Sequence, residues 1–232
     1  MSDINEFQLA VDPTRNDGRG LPAELPESPM PTLAKWLDHA TSERVQPNPN
    51  AIVLSTVGAD NRPSARLVLC KFLDPDRGTL KFHTNYTSKK AQDIDANPHV
   101  ALTFHWDTLE LQARIEGIAT RTPEAESEAY FLTRPWVRKV GAWSSDQSQP
   151  IASRDAMMAK VRAAMERFGI DPENPPAHNA KIDIPRPSNW GGYSVTALRV
   201  ELWVGGLGRV HDRAAWERAD AASPWNATRL QP

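Results

Sequence analysis

The chain has 232 residues, 40% apolar and 24% charged, which suits a soluble fold with a real core built as one large domain. Its 27 lysines and arginines against 29 aspartates and glutamates leave a formal net charge of −2. That balance argues against a general nucleic-acid binder, so any anion must be met by a local cluster. Cys70 is the only cysteine, which rules out an internal disulfide, argues against a cysteine-based metal site and points to a reducing cytoplasm.

The N-terminus shows no basic segment followed by an apolar run, so no signal peptide is read. No stretch approaches the ~18 apolar residues of a membrane span. Residues 1–30, rich in Pro, Asp, Gly and Glu, read as a mobile arm, and residues 31–232 as a single domain. A short helix follows, with Leu33, Trp36, Leu37 and Ala40 on one face. Strands are then predicted over 51–57, 65–73 and 79–84, and a helix over 88–97 that stops at Asn97-Pro98. The next strand pair is 99–106 and 109–120. In the second, Leu109, Leu111, Ala113 and Ile115 alternate with polar residues in a clean two-residue period. Helices are predicted over 123–134 and 153–168, and after a Pro-rich loop the last strands fall at 193–204 and 225–230. Strands outnumber helices and no regular βαβ alternation appears. The expected class is mainly β with peripheral helices, an antiparallel barrel or sheet.

Several segments collect groups suited to anions. In "TNYTSKKAQDI", Thr87 or Ser88 would cap a helix and place Lys89 and Lys90 in its first turn, where cations oppose the helix dipole. They make sense if a phosphate sits at that end; otherwise they are a pair of surface lysines. Arg66 and Lys71 bracket the strand "ARLVLCKFL". Their odd separation puts them on opposite faces unless a bulge intervenes, which favours two anion sites over one. Gln112 lies on the polar face of its strand and can both donate and accept. Tyr130, Arg134 and Arg138, spaced by four, would share a helix face, although Pro135 makes that helix doubtful. The loop holding Gln147 and Ser148 could donate to a phosphate or carbonyl. In "WVGGLGRVHDR", Arg209, His211 and Arg213 share one parity if the segment is extended. Three cationic or switchable groups on one face repel each other without a counter-anion, so this is the strongest mark of an anionic ligand.

Taken together, "ARLVLCK", "FHTNYTSKKAQDI", "ANPHVAL", "LELQ", "YFLTRP", "PSNWGGY", "HDR" and the terminal "RLQP" resemble the pyridoxine/pyridoxamine 5′-phosphate oxidase family, from about Leu33 to the C-terminus. The resemblance implies an FMN-binding split β-barrel of antiparallel Greek-key type, and a homodimer with FMN at the subunit interface. The implied FMN shell is Arg66, Leu67, Val68, Leu69, Cys70, Lys71, His83, Thr84, Lys89, Lys90, Gln112, Gln147, Ser148, Trp203 and Arg213. The vitamin phosphate would meet Lys71, Tyr130, Arg134 and Arg138, with Arg209 and His211 over its pyridine ring as the catalytic pair. The implied reaction oxidises pyridoxine or pyridoxamine 5′-phosphate to pyridoxal 5′-phosphate with dioxygen, giving hydrogen peroxide. No metal is implied, and neither nucleic acid nor membrane is an expected partner.

Three features depart from the family pattern. Arg138 stands where a phosphate-binding serine is usual, and no Arg-x-x-Tyr lid is present near the N-terminus. His83-Thr84 and Lys89-Lys90 replace a Tyr-Thr and an Arg-Lys pair. Two alternatives follow: a phenazine-biosynthesis type oxidase acting on another acidic heterocycle, which the retained Lys71 argues against, and a non-catalytic carrier of flavin or vitamin phosphate.

Overall fold

The structure is a computed structural model and describes residues 20–232, the side chain of Leu207 excepted. Five α-helices are found among the described residues: α1 (Met30–Ser42), α2 (Lys89–Ala96), α3 (Glu124–Leu132), α4 (Trp136–Ser144) and α5 (Arg154–Arg167). Nine strands make one sheet: β1 (Ala51–Val57), β2 (Pro63–Leu69), β3 (Phe72–Asp74), β4 (Thr79–Asn85), β5 (His99–Trp106), β6 (Leu111–Arg121), β7 (Trp190–Val204), β8 (Asp212–Glu217) and β9 (Asn226–Leu230). Every pairing is antiparallel, in the order β2-β1-β5-β6-β7-β4-β3, with β8 on β7 and β9 on β8. The two ends of that path, β2 and β3, are joined through Cys70 and Lys71, so the sheet curls back on itself as a split barrel.

Alternation along the strands builds the core. Leu111, Ala113, Ile115 and Ala119 of β6 point inward between half-buried or exposed neighbours, as the two-residue period requires. Phe104, Trp106 and Trp216 are fully buried with Leu54, Leu102 and Val200. Truncating such a ring to alanine costs about 3–5 kcal/mol in a packed core. A second, smaller core sits under α4 and α5, where Trp136, Val140, Met165 and Ile184 meet.

Two segments differ from expectation. The strand predicted over 65–73 breaks at Cys70 and Lys71. The Cys70 amide donates to Asn50 and the Lys71 amide to Lys81, so the chain exchanges one partner strand for another at a corner. β8 was not predicted as a strand. It is made one by Trp203 and its neighbours on β7, which supply the ladder.

Of the arm predicted over residues 1–30, residues 1–19 lie outside the described residues. Residues 20–29 are tied to the sheet: the Leu21 amide donates to Asp212, Arg229 donates to the Pro22 carbonyl, and the Trp216 indole donates to Pro26. No helix among the described residues is long and apolar enough to cross a membrane.

Candidate active site

The corner at Cys70–Lys71 opens a cavity of about 900 Å³, within the range of small-molecule and cofactor sites. Its walls include Arg66, Leu67, Val68 and Leu69 from β2, Lys71 from the corner, His83 and Thr84 from β4, and Lys89 and Lys90 from α2. Tyr130, Arg134, Arg138, Gln147, Ser148 and Trp190 complete them. Six of these side chains are lysine or arginine, and no aspartate or glutamate is among the residues lining the cavity. Asp93 behind the wall meets Arg66 and Lys89, which leaves Lys71, Lys90, Arg134 and Arg138 without a paired carboxylate among the described residues, a density of charge that calls for an anionic ligand.

Parity along the strand placed Arg66 and Lys71 on opposite faces; the corner corrects this, and both face one cavity. Similarly, Tyr130, Arg134 and Arg138 do not share one helix. α3 ends at Leu132, Pro135 caps α4, and the bend still leaves all three on the same wall. Cys70 lies behind the wall rather than in it. It is buried, its sulfur bonded to the Phe72 carbonyl, and burial pushes the thiol up to about 11, so it is an inert packing group.

Each cation is held differently. Arg66 donates to Thr56, Ser64 and the Leu54 carbonyl and lies 3.8 Å from Asp93. Asp93 also takes the ammonium of Lys89. Burial pushes that carboxyl up, but hydrogen bonds from Lys89 and Thr56 and the charges of Lys89 and Arg66 hold it below its ordinary value.

Lys90 is only 7% exposed. Its ammonium donates to Gln147 Oε1 at 2.8 Å and to Thr84 and Ser88 hydroxyls at 3.2 Å, all neutral acceptors. Burial, with Arg66 adding to it, lowers Lys90 to about 8. Ser88 is the cap residue of α2 but its hydroxyl makes no capping bond, and the first turn carries no acidic residue. The helix end and the Lys90 ammonium therefore converge with no anion of their own, while Lys89 beside them is paired with Asp93.

Deeper in the cavity, the rings of Tyr130, His83 and Trp190 stack, with centroids 4.0 Å and 5.2 Å apart. Gly192 makes room for this: a Cβ there would lie 3.0 Å from His83 Nε2. Both His83 nitrogens and Arg134 Nη1 are buried without a hydrogen-bond partner. Unmet buried polar atoms cost free energy, so this inner wall is not fully satisfied within the chain. Burial lowers His83 to about 4, helped by Arg134, Lys71 and Lys81 against Glu126.

Between pH 6.5 and 4 the unfolded chain therefore binds a proton that folded His83 refuses, so stability rises with pH across that window and is lost on acidification. Urea melts at pH 4.5 and 7 will show a smaller acid loss in His83→Phe than in the native protein; an unchanged loss would place the acid-labile group elsewhere.

The remaining predicted residues form a second group. Cross-strand pairing puts Gln112, Trp203 and Arg213 in one row across β6, β7 and β8. Arg213 is fixed by Glu201, 2% exposed, through its Nε at 3.0 Å and Nη2 at 2.7 Å, and by the Gln231 carbonyl. His211 lies 4.6 Å from Trp203, ring to ring, and its Nδ1 accepts the Gly206 amide, which places the neutral ring's proton on Nε2. Arg209 is exposed with φ 64°, a left-handed conformation costly for a side-chain-bearing residue.

These two groups do not meet within one chain. Trp190 of the cavity and Trp203 of the second group stand thirteen positions apart on β7. That is on the order of 40 Å of strand, well beyond one mononucleotide.

Trp190 and Glu201 were the site residues missed. Trp190 was visible only as part of "PSNWGGY", and Glu201 only as a lone acid within "VELWV".

Comparison with known proteins agrees with this division. The pyridoxamine 5′-phosphate oxidase family model matches residues 37–167, and the model of the pyridoxine 5′-phosphate oxidase C-terminal dimerisation region matches residues 190–232, which carry all of the second group except Gln112. The chain is 43% identical over 209 residues to the pyridoxine/pyridoxamine 5′-phosphate oxidase of Cupriavidus metallidurans, covering 90% of this chain and 91% of that one. To the enzyme of the same name from Bordetella pertussis it is 44% identical over 205 residues, covering 88% and 90%. Among solved structures, PhzG from Burkholderia lata, in complex with tetrahydrophenazine-1-carboxylic acid, superposes with a TM-score of 0.77 at 26% identity, covering 96% of this chain and 98% of that one. An FMN-binding protein of Nostoc punctiforme shares the fold, with a TM-score of 0.64 at 17% identity over 88% of this chain and 97% of its own. With a carboxylate-free, cation-lined cavity at one end of β7, a dimerisation region at the other, and both family models matched in order, the chain belongs to the pyridoxamine 5′-phosphate oxidase family.

Proposed function

We propose that this protein oxidises pyridoxine 5′-phosphate, pyridoxamine 5′-phosphate or both to pyridoxal 5′-phosphate, using FMN and dioxygen and releasing hydrogen peroxide. The observation that carries this reading is the cavity lined by six cations and no carboxylate, four of the cations having no acidic partner among the described residues. Two phosphate esters fit it. Arg66, Lys89 and Lys90 at the start of α2 would hold the FMN phosphate, with Thr84, Gln147 and Ser148 beside it. Lys71, Tyr130, Arg134 and Arg138 would hold the ester phosphate of the substrate. Arg138, in the position of the usual serine, crowds Lys71: burial lowers Lys71, and Arg138 and Arg134 add to it. Three mutually repelling cations suit a phosphate dianion better than a single carboxylate, which favours the vitamin phosphate over a phenazine-type acid.

Gln112, Trp203 and Arg213 of a second copy would close over the flavin, with the two chains forming a homodimer around it. Arg209 and His211 of that copy would cover the substrate ring. Bound FMN would supply the redox chemistry, the two-electron transfer from the substrate to dioxygen. The protein's part is orientation. Arg209 would anchor the ring from above, and His211 would lie beside the substituent at C4′ and help hold it in place. The left-handed backbone at Arg209 favours catalysis over carriage, because strain held at one cationic side chain serves positioning.

Adding pyridoxine 5′-phosphate in air to the FMN-loaded protein will yield pyridoxal 5′-phosphate and peroxide in equal amounts, and without oxygen will bleach the flavin. Intact bound FMN with no turnover of either vitamin phosphate would leave a carrier. Turnover confined to a phenazine acid would favour the second oxidase reading, for which the likeness to PhzG is the supporting observation.

A further inference from the structure

A second cavity, about 670 Å³, lies behind the active-site wall between the start of α4 and the Pro-rich loop before β7. Lys139 lines it. That side chain is only 6% exposed, yet among the described residues no hydrogen bond or ion pair reaches its ammonium. Its stem is packed against the protein while the ammonium is left facing the cavity, where an anion can join it. Two further features point the same way. Pro135 at the cap of α4 offers no side-chain hydrogen bond and the first turn has no acidic residue, so the positive end of the helix is unanswered. Arg134 also lines this cavity and adds positive charge to its wall. On the exposed rim, His178 and Lys181 add donors, and Asp183 is the one carboxylate, able to accept from a ligand's neutral or cationic tail.

We infer that this cavity is a second anion site, separate from the active site, built for a small phosphate ester whose head meets Lys139 and the start of α4. Trp136 gives it an apolar floor, which favours an ester over the bare ion. The site stands on Lys139 and the α4 end, and does not depend on the identity of the oxidised substrate.

Inorganic phosphate is the probe. Equilibrium dialysis of the FMN-loaded protein will show one more phosphate bound per chain in the native protein than in Lys139→Gln. Lys71→Met, altered only in the first cavity, will keep that additional phosphate. Phosphate will also raise the Tm of Lys139→Gln less than that of the native protein. Lys181→Gln, on the exposed rim where packing is not at stake, will weaken the second phosphate several-fold, so the question stays open to measurement even should Lys139→Gln fail to fold. Equal stoichiometry and affinity in Lys139→Gln, or unchanged affinity in Lys181→Gln, would overturn the inference.

Discussion

Lys90→Met will release the flavin. The Lys90 ammonium is buried at the start of α2 on neutral acceptors alone, Gln147, Thr84 and Ser88, which leaves its charge for a ligand. Losing one charge-assisted contact of about 1.5–3 kcal/mol corresponds to roughly 10- to 100-fold weaker FMN binding. The flavin-free protein will not lose stability in the same step, because the substitution also removes the desolvation that lowers Lys90 to about 8. The same value sets a pH dependence. Above pH 8 the empty site loses the Lys90 proton and must regain it to bind a phosphate, so native affinity will fall as pH rises through 8. The variant will lack that slope. Quenching of FMN fluorescence on titration reads both effects. Unchanged affinity together with an unchanged slope would remove Lys90 from the phosphate site.

Arg209→Leu will spare the flavin and damage turnover. Arg209 is exposed, lies outside the cavity and holds a left-handed backbone beside Gly208, whereas Arg213, four positions on, is clamped by Glu201 and Gln231. Both Arg209 and its replacement carry a Cβ, so the backbone cost is common to them and the difference reports the guanidinium. Loss of a positioning contact over the reacting ring should lower kcat/KM by on the order of 100-fold or more, with FMN affinity within about two-fold of native. Arg209→Lys keeps the charge without the planar fork and should recover only part. Steady-state kinetics beside the fluorescence titration separates the roles. Equal loss of turnover and of flavin would assign Arg209 to the cofactor instead.

Much of the fold could be read from residues in order. The strands over 51–57 and 99–106 have the predicted bounds, and the alternation from Leu111 to Ala119 is the inner face of β6. The failures share a cause. At Cys70–Lys71 the apolar run continues while the hydrogen-bond partner changes from one strand to another, and composition carries no trace of such a corner. α4 begins directly at a proline, which read as an interruption although Pro135 is its cap. β8, "DRAAWE", has no clean alternation, because Ala214, Ala215 and Trp216 are all buried, and it owes its form to β7 and β9.

The candidate site followed the same division. Residue types and the family resemblance named the cationic groups, but which of them lie together depends on strand order and on the length of β7. Glu201, which fixes Arg213 while also meeting Arg114 and Arg199, was invisible because a buried acid in an apolar strand has no local signature. Lys139 hid for the opposite reason, since a lysine in an amphipathic helix reads as solvated.

A mixture of two impaired variants, assayed at an FMN concentration that fills native sites but not Lys90→Met sites, tests most directly whether the cavity of one chain is completed by the β7–β8 face of another. Lys90→Met and Arg209→Leu subunits, reassociated in equal amounts with FMN, form mixed dimers in which one site carries both defects and the other carries neither. Random pairing under two-fold symmetry should restore about a quarter of native activity. If the two groups instead served one site within each chain, every site would keep a defect, and the mixture would stay as inactive as its parts.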